Sequence, residues 1–429
     1  MLDMQKRLSN FFYATMSLPS TAMGFALCIQ ISALSWILST KFGLEIHQIG
    51  IVWAAGPTAG ILGQVLIGLI SDKAWFWGGR RRPFILIGGT LAALMVFLLP
   101  RIDVVDRLLG VGNILAVAVV IALVLDLSIN ISFNPTRSII ADLTPEGDAR
   151  TKGYTWMQTI SGFWGVMAYL VGATFGNETL ISLGAFVVLA FSVVPMFFIK
   201  EQRELAPTAD NAVGTVETTR ADWGQLWRIY IAHGFSWLGV QSMFVYTYGF
   251  IQTHIVPAGL PEAQANVMSG QVIAYSFAIL NTVGFLLPAL VLGPVARRIG
   301  RINTQAACVA IMAAAYFAIA AYARTPLMLY VLIAVAGIGW SAIVSLPFAI
   351  MSDKVDKSRM GFFMGVFNLS VVLPQLMSTG VGFVLKTAGN NSVLYVICGG
   401  SLAISAALWL LVKDKIGATV AAPIPASAH

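Results

Sequence analysis

The chain has 429 residues, 58% of them hydrophobic and only 10% charged. Soluble domains carry roughly a quarter charged residues, so this composition excludes an ordinary soluble enzyme or binding module and places the chain in a bilayer. The net charge of +7 does not argue for a nucleic-acid partner. The Lys and Arg residues sit in short loops between apolar runs, where such residues orient membrane proteins.

A membrane-crossing helix needs about 20 mostly apolar residues. Twelve segments meet this, at about 14–40, 47–70, 83–100, 110–142, 153–175, 180–199, 226–252, 267–294, 303–322, 326–350, 360–386 and 392–412. The first follows Lys6 and Arg7 and runs to Ser39. That is too long for the apolar core of a cleaved leader, so it is expected to remain as a span. With the N-terminus inside and the spans alternating, 21 of the 26 basic residues fall on the side of the termini; Lys41, Arg101, Arg107, Arg324 and Lys386 are left outside. The asymmetry predicts cytoplasmic termini. The expected fold is an all-α membrane protein with twelve transmembrane helices in two six-helix halves. Residues 1–199 form the first half, 200–225 a cytoplasmic linker, 226–412 the second half and 413–429 a tail. Short loops and tails suggest a monomer in a cell inner membrane.

Within the fourth segment, Val111–Leu143, one carboxylate interrupts a run of Ile, Leu, Val and Ala: Asp126. An ionisable side chain at bilayer depth is costly and marks a functional site by default. At 100° per residue, Asn130, Phe133, Asn134 and Arg137 share its face. Arg137 lies about 16 Å further along the axis and cannot pair with Asp126 in the same helix. Burial disfavours the charged form of a carboxyl, and a group that loads and unloads a proton is what coupling to a proton gradient requires. Asp126 with Asn130 is therefore the expected proton-coupling site. The second segment has no carboxylate and the fourth no second one at depth, so a sodium site of paired acids is not expected.

Polar and aromatic side chains recur inside other segments: Gln30, Gln158, Trp164, Trp237, Gln241, Tyr248, Gln252, Gln271, Tyr275, Asn281, Trp340, Asn368 and Gln375. Converging on one cavity, they would suit a neutral hydroxylated solute. The histidines, His47, His233 and His254 among them, form no cluster with Cys or carboxylates and are expected at membrane interfaces. Cys28, Cys308 and Cys398 lie in apolar segments without ligand spacing, so neither a disulfide framework nor a metal site is expected. No P-loop, nucleophile elbow or HExxH is present, so neither an enzyme nor a cofactor is expected.

The two halves repeat a loop pattern. GLISDKAWFWGGRRRPF (68–84) follows the second segment and GPVARRIGR (293–301) the eighth. Pro135, Asp142 and Arg150 after the fourth are matched by Pro347, Asp353 and Arg359 after the tenth. Parallel repeats of six spans describe the halves of major facilitator transporters, and the first loop resembles their G-x-x-x-D-[RK]-x-G-R-R, widened by AWFW. That resemblance implies gating roles for Asp72, Arg80, Arg81, Arg82, Arg137, Asp142, Arg150, Asp353 and Arg359. LDLSINISFNPTRSIIADL (125–143), VWAAGPTAGILGQVLIGLISD (52–72) and GRRRPFILIGG (79–89) resemble the sucrose–proton symporters and their bacterial relatives. The likeness is specific over about 43–155. It implies proton-coupled carriage of a sugar or glycoside by alternating access, with the family's coupling aspartate at Asp126. Ile129 stands where that family has the first of two Asn, and His47 lies one position from its outer-loop His. Two other readings stay open. One is a carrier for a different cargo, such as iron or a metal chelate, in a specialised intracellular membrane of the magnetosome type. The other is a carrier fold kept as a sensor or assembly factor.

Overall fold

The computed structural model describes residues 5, 7–60, 75–145, 148–201, 222–352, 354 and 360–413. Asp72, Asp353, Arg359, the Arg150 side chain, 202–221 of the expected linker and 414–429 of the expected tail lie outside them.

Twelve helical spans follow in chain order: α1 (Asn10–Thr40), α2 (46–60, opening with Ile46–Trp53), α3 (Arg82–Leu109), α4 (Ile114–Leu143), α5 (Asp148–Phe175), α6 (Asn177–Phe198), α7 (Trp223–Phe250), α8 (Glu262–Leu287), α9 (Arg301–Tyr322), α10 (Pro326–Met351), α11 (Met360–Met377) and α12 (Val393–Trp409). Seven of them, and a stretch Val366–Ala388 that overlaps α11 and continues past it, are long and apolar enough to cross a membrane by length and composition among the described residues. Several begin earlier than their apolar runs, because the cap and not the hydropathy sets a helix start. Ser9 accepts from the Phe12 N–H ahead of α1 and Asp222 from Gln225 ahead of α7, whereas Asn113, accepting from Ala116, starts α4 later than its apolar run.

Lipid-type packing is evident in which side chains turn inward. Ser17, Thr21, Ser132, Thr136, Ser242 and Ser276 are buried, whereas Phe186, Phe197, Leu290 and Leu327 are exposed. Membrane helices associate through small residues that let backbones approach. The same crossings recur in both halves. A Cβ on Gly88 of α3 would stand 2.6 Å from the Ser128 carbonyl oxygen of α4, and one on Gly339 of α10 would stand 2.8 Å from the Cys308 carbonyl oxygen of α9. Gly239 of α7 meets the Cys398 carbonyl of α12 in the same manner.

The two ends of the bundle differ. At the end where Gln5 and Lys413 lie, here called proximal, Glu201 accepts the backbone N–H groups of Arg80, Arg81 and Arg82 at 2.8, 2.8 and 2.6 Å. A carboxylate at the start of α3 also answers the positive end of that helix. The Arg80 and Arg81 guanidinium groups donate to Asp142 at the end of α4 at 2.9 and 3.1 Å. Glu201 was not among the expected gating residues, because nothing in its local sequence says that it returns to α3.

At the opposite, distal end the halves are joined. Ser35 of α1 donates to the Val245 carbonyl of α7 at 2.9 Å and accepts from the Trp53 indole of α2 at 2.9 Å. The Trp36 indole donates to the Asn266 carbonyl of α8 at 3.0 Å. Glu45, ahead of α2, pairs with Lys386 beyond α11 at 2.9 Å, and His47 packs against Phe383. The hydrogen bond from Lys386, and then its charge, hold the Glu45 carboxyl below the usual carboxylate range. A depressed carboxyl stabilises its pair above the ordinary value and loses it as pH falls through the lowered one. Thiol labelling of Ser39→Cys from the distal side, taken relative to a free thiol labelled at the same pH, is therefore expected to rise below about pH 4. It should also rise at neutral pH in Lys386→Glu and return to normal in Glu45→Lys/Lys386→Glu; a double variant that labels like the single one contradicts the role of this pair.

Candidate functional site

Between the halves lies a cavity of about 390 Å³, within the roughly 300–1,000 Å³ that small-molecule sites take. From the first half come Gln30 and Ile31 of α1, Trp53, Gly56 and Pro57 of α2, and Asp126, Ile129, Asn130 and Phe133 of α4. From the second half come Trp237, Gln241 and Phe244 of α7, Trp340 of α10, and Asn368, Val372 and Gln375 of α11.

Asp126 sits near the middle of the 30-residue α4 and is 5% exposed. Gln30 donates to its Oδ2 at 2.9 Å. Gln30 opens a π-helical turn, Gln30–Leu34, inside α1; such turns re-aim a side chain and gather at functional positions. Asn130 turns its amide back to the Asp126 carbonyl at 2.8 Å. Gly56 lets α2 approach the carboxylate: a Cβ there would lie 3.2–3.4 Å from its atoms. Among the described residues Asp126 has no ion-pair partner. A charged carboxylate so placed is costly, and a bound proton removes that charge without moving a heavy atom. Arg137 does not supply the missing cation. Its guanidinium lies 4.0 Å over the Phe133 ring, and its side chain is exposed.

Across the cavity, Gln375 donates to Gln241 at 3.1 Å. Trp237 and Phe244 each meet Trp340 edge-on, at 6.0 and 5.4 Å between ring centroids. The wall opposite Asp126 thus combines amides with aromatic surface. Amides can both donate to and accept from hydroxyl groups.

The other expected cavity residues go elsewhere. Tyr248 and Gln252 continue the α7 stripe but line a second, distal cavity of about 180 Å³ with Ser35, Ser39, Glu45 and Asn391. The stripe was legible in the sequence; that the Ser35 and Trp53 contacts divide it between two cavities was not. Trp164 packs among Phe25, Phe163 and Phe191 within the first half. Tyr275 packs on Tyr330, and Asn281 donates to the Phe277 carbonyl of its own helix. Gln158 and Gln271 are exposed and outside the central cavity. His233 is no interface residue: it is 2% exposed, three turns into α7, because that helix starts at Trp223. Trp53, Gly56 and Phe244 were not singled out, although Trp53 and Gly56 fall inside a stretch that carries the family likeness. Among the described residues no group of three His, Cys, Asp or Glu could hold a metal ion.

A twelve-helix bundle of two repeated halves around a central cavity is the architecture of a membrane carrier. The chain belongs to the Major Facilitator Superfamily, whose model matches residues 16–379. It is 23% identical over 447 residues to a sucrose transport protein of Arabidopsis thaliana, covering 89% of this chain and 87% of that one. It is 25% identical over 422 residues to a sucrose transport protein of Oryza sativa subsp. japonica, covering 81% and 77%. The match to a general alpha-glucoside permease of Schizosaccharomyces pombe is local, 28% identical over 174 residues, 36% of this chain and 31% of that permease. Among solved structures, a nucleoside transporter, NupG, superposes with a TM-score of 0.70 at 14% identity, covering 95% of this chain and all of that one. A D-xylose-proton symporter superposes with a TM-score of 0.69 at 14% identity, covering 95% and 98%. The chain is a multi-pass membrane transporter and not an enzyme.

Proposed function

We propose that this transporter carries a small hydroxylated solute, a sugar or glycoside, coupled to protons through Asp126 by alternating access. The observation that carries the reading is one cavity holding a buried carboxyl, without a countercharge among the described residues, on one side and amides beside aromatic rings on the other. Rings cover the apolar faces of a sugar while amides meet its hydroxyls. Sucrose, for which the two plant transport proteins are named, agrees with that chemistry. The distal hydrogen bonds and the Glu45–Lys386 pair belong to one end state; rocking the halves would break them and open the cavity to that side. With termini in the cytoplasm of a cell inner membrane, proton inflow would drive uptake by a monomer. Arg80, Arg81 and Asp142 would latch the proximal end.

The test is uptake of radiolabelled sucrose, maltose and monosaccharides into proteoliposomes with an alkaline lumen. Saturable accumulation that collapses with a protonophore is expected. Gradient-independent equilibration, or accumulation of nucleosides and no sugar, contradicts the proposal.

A further inference from the structure

Trp237 lines the central cavity, and its one polar atom does not face a solute. The indole Nε1–H donates to Nε2 of His233, one helical turn earlier, at 2.9 Å. A ring nitrogen that accepts needs its lone pair, so the imidazole is neutral and carries its proton on Nδ1. That Nδ1 is buried without a hydrogen-bond partner. Leaving a buried donor unpaired is unfavourable, so this tautomer is held by something worth more than the bond it forgoes. Two contacts hold it: the Trp237 N–H, and the ring of Phe367, stacked on the imidazole at 4.8 Å and 14°. Phe367 precedes Asn368, which lines the cavity on α11.

We infer that His233 is a positioning residue for the solute site: it fixes the Trp237 indole so that the cavity meets ring carbon and no donor. This inference rests on the central cavity being the solute site. The edge-on contact between Trp237 and Trp340 then has a fixed orientation, and the pair forms a preset platform for the apolar face of a sugar ring. Its place in the mechanism is specificity. A free indole N–H would turn toward any acceptor in the cavity and blur the distinction between a ring face and a hydroxyl.

The experiment uses the full-length transporter in nanodiscs with ¹⁵N-labelled tryptophan, the Trp237 indole signal being assigned by its loss in Trp237→Phe. In wild type that N–H is expected far downfield and slow to exchange with D₂O. His233→Leu is expected to move it upfield and speed exchange at least tenfold, whereas His233→Gln, which keeps an acceptor at similar reach, retains it. In sucrose counterflow, His233→Leu should raise KM about tenfold with kcat within about twofold. His233→Gln should stay near wild type, and in a Trp237→Phe background His233→Leu should add nothing. An unchanged indole signal in His233→Leu overturns the positioning role. A moved signal with unchanged KM overturns the link to specificity. Failure of wild type to counterflow sucrose or maltose overturns the sugar reading, while the indole signal still decides whether His233 holds Trp237.

Discussion

Asp126→Asn is expected to abolish accumulation driven by a pH gradient while leaving solute exchange intact. The substitution keeps the size of the side chain and an oxygen for the Gln30 N–H, so the cavity keeps its shape. It removes the ability to alternate between a charged and a neutral state. A gradient of one pH unit stores about 1.4 kcal/mol per proton, and one-to-one coupling converts this into about tenfold accumulation. The variant should therefore settle near an inside-to-outside ratio of one, with counterflow of labelled solute close to the wild-type rate. Tenfold accumulation persisting in Asp126→Asn would place the coupling group elsewhere. Loss of both accumulation and counterflow would instead make Asp126 a structural residue bridging α1 and α4.

Gly50→Ala is expected to cut transport at least tenfold by preventing closure of the distal end. Gly50 lies where α2 of the first half meets α7 of the second, and a Cβ there would fall on the Tyr246 hydroxyl, with Cζ 3.1 Å away. Tyr246 has no room to yield. It is 1% exposed, and its single hydroxyl proton is shared between the Ser378 and Thr379 carbonyls, each at 3.2 Å. Overpacking such a contact costs about 1–3 kcal/mol, which shifts the balance between end states about 5- to 150-fold away from distal closure. Labelling of Ser39→Cys from the distal side should rise accordingly. Tyr246→Phe removes the clashing oxygen and should restore much of the transport lost in Gly50→Ala. If Gly50→Ala transports and labels like wild type, this contact is not part of the distal seal.

Much of the membrane architecture was legible before the fold because it depends on counting. Twelve apolar runs, the distribution of Lys and Arg between their loops and the repeated loop pattern are properties of composition along a line. Asp126 was legible for the same reason, since a carboxylate in a run of Ile, Leu and Val stands out wherever the helix is placed. The α7 stripe was legible as a stripe because helical periodicity is local.

What periodicity cannot give is which neighbours a face meets. Gln30 and Asp126 are 96 positions apart, and their approach depends on how α1 and α4 cross and on the π-helical turn that aims Gln30. Glu201 and Asp142 meet the arginines before α3 from the far ends of α6 and α4. Gln158, Gln271 and Tyr275 satisfy the same polar pattern as Gln241 and Gln375, yet lie outside the central cavity.

By itself, then, the sequence determined a membrane protein of twelve spans with one expensive carboxyl in its fourth. Hydrophobicity and charge act residue by residue and need no partner to be read. Only the tertiary structure decided that Asp126 faces a cavity shared by both halves, that the Trp237 indole donates to His233, and that Ser35, Trp53 and the Glu45–Lys386 pair meet at the distal end. Each of these is a contact between side chains whose meeting depends on packing directions that no single helix contains.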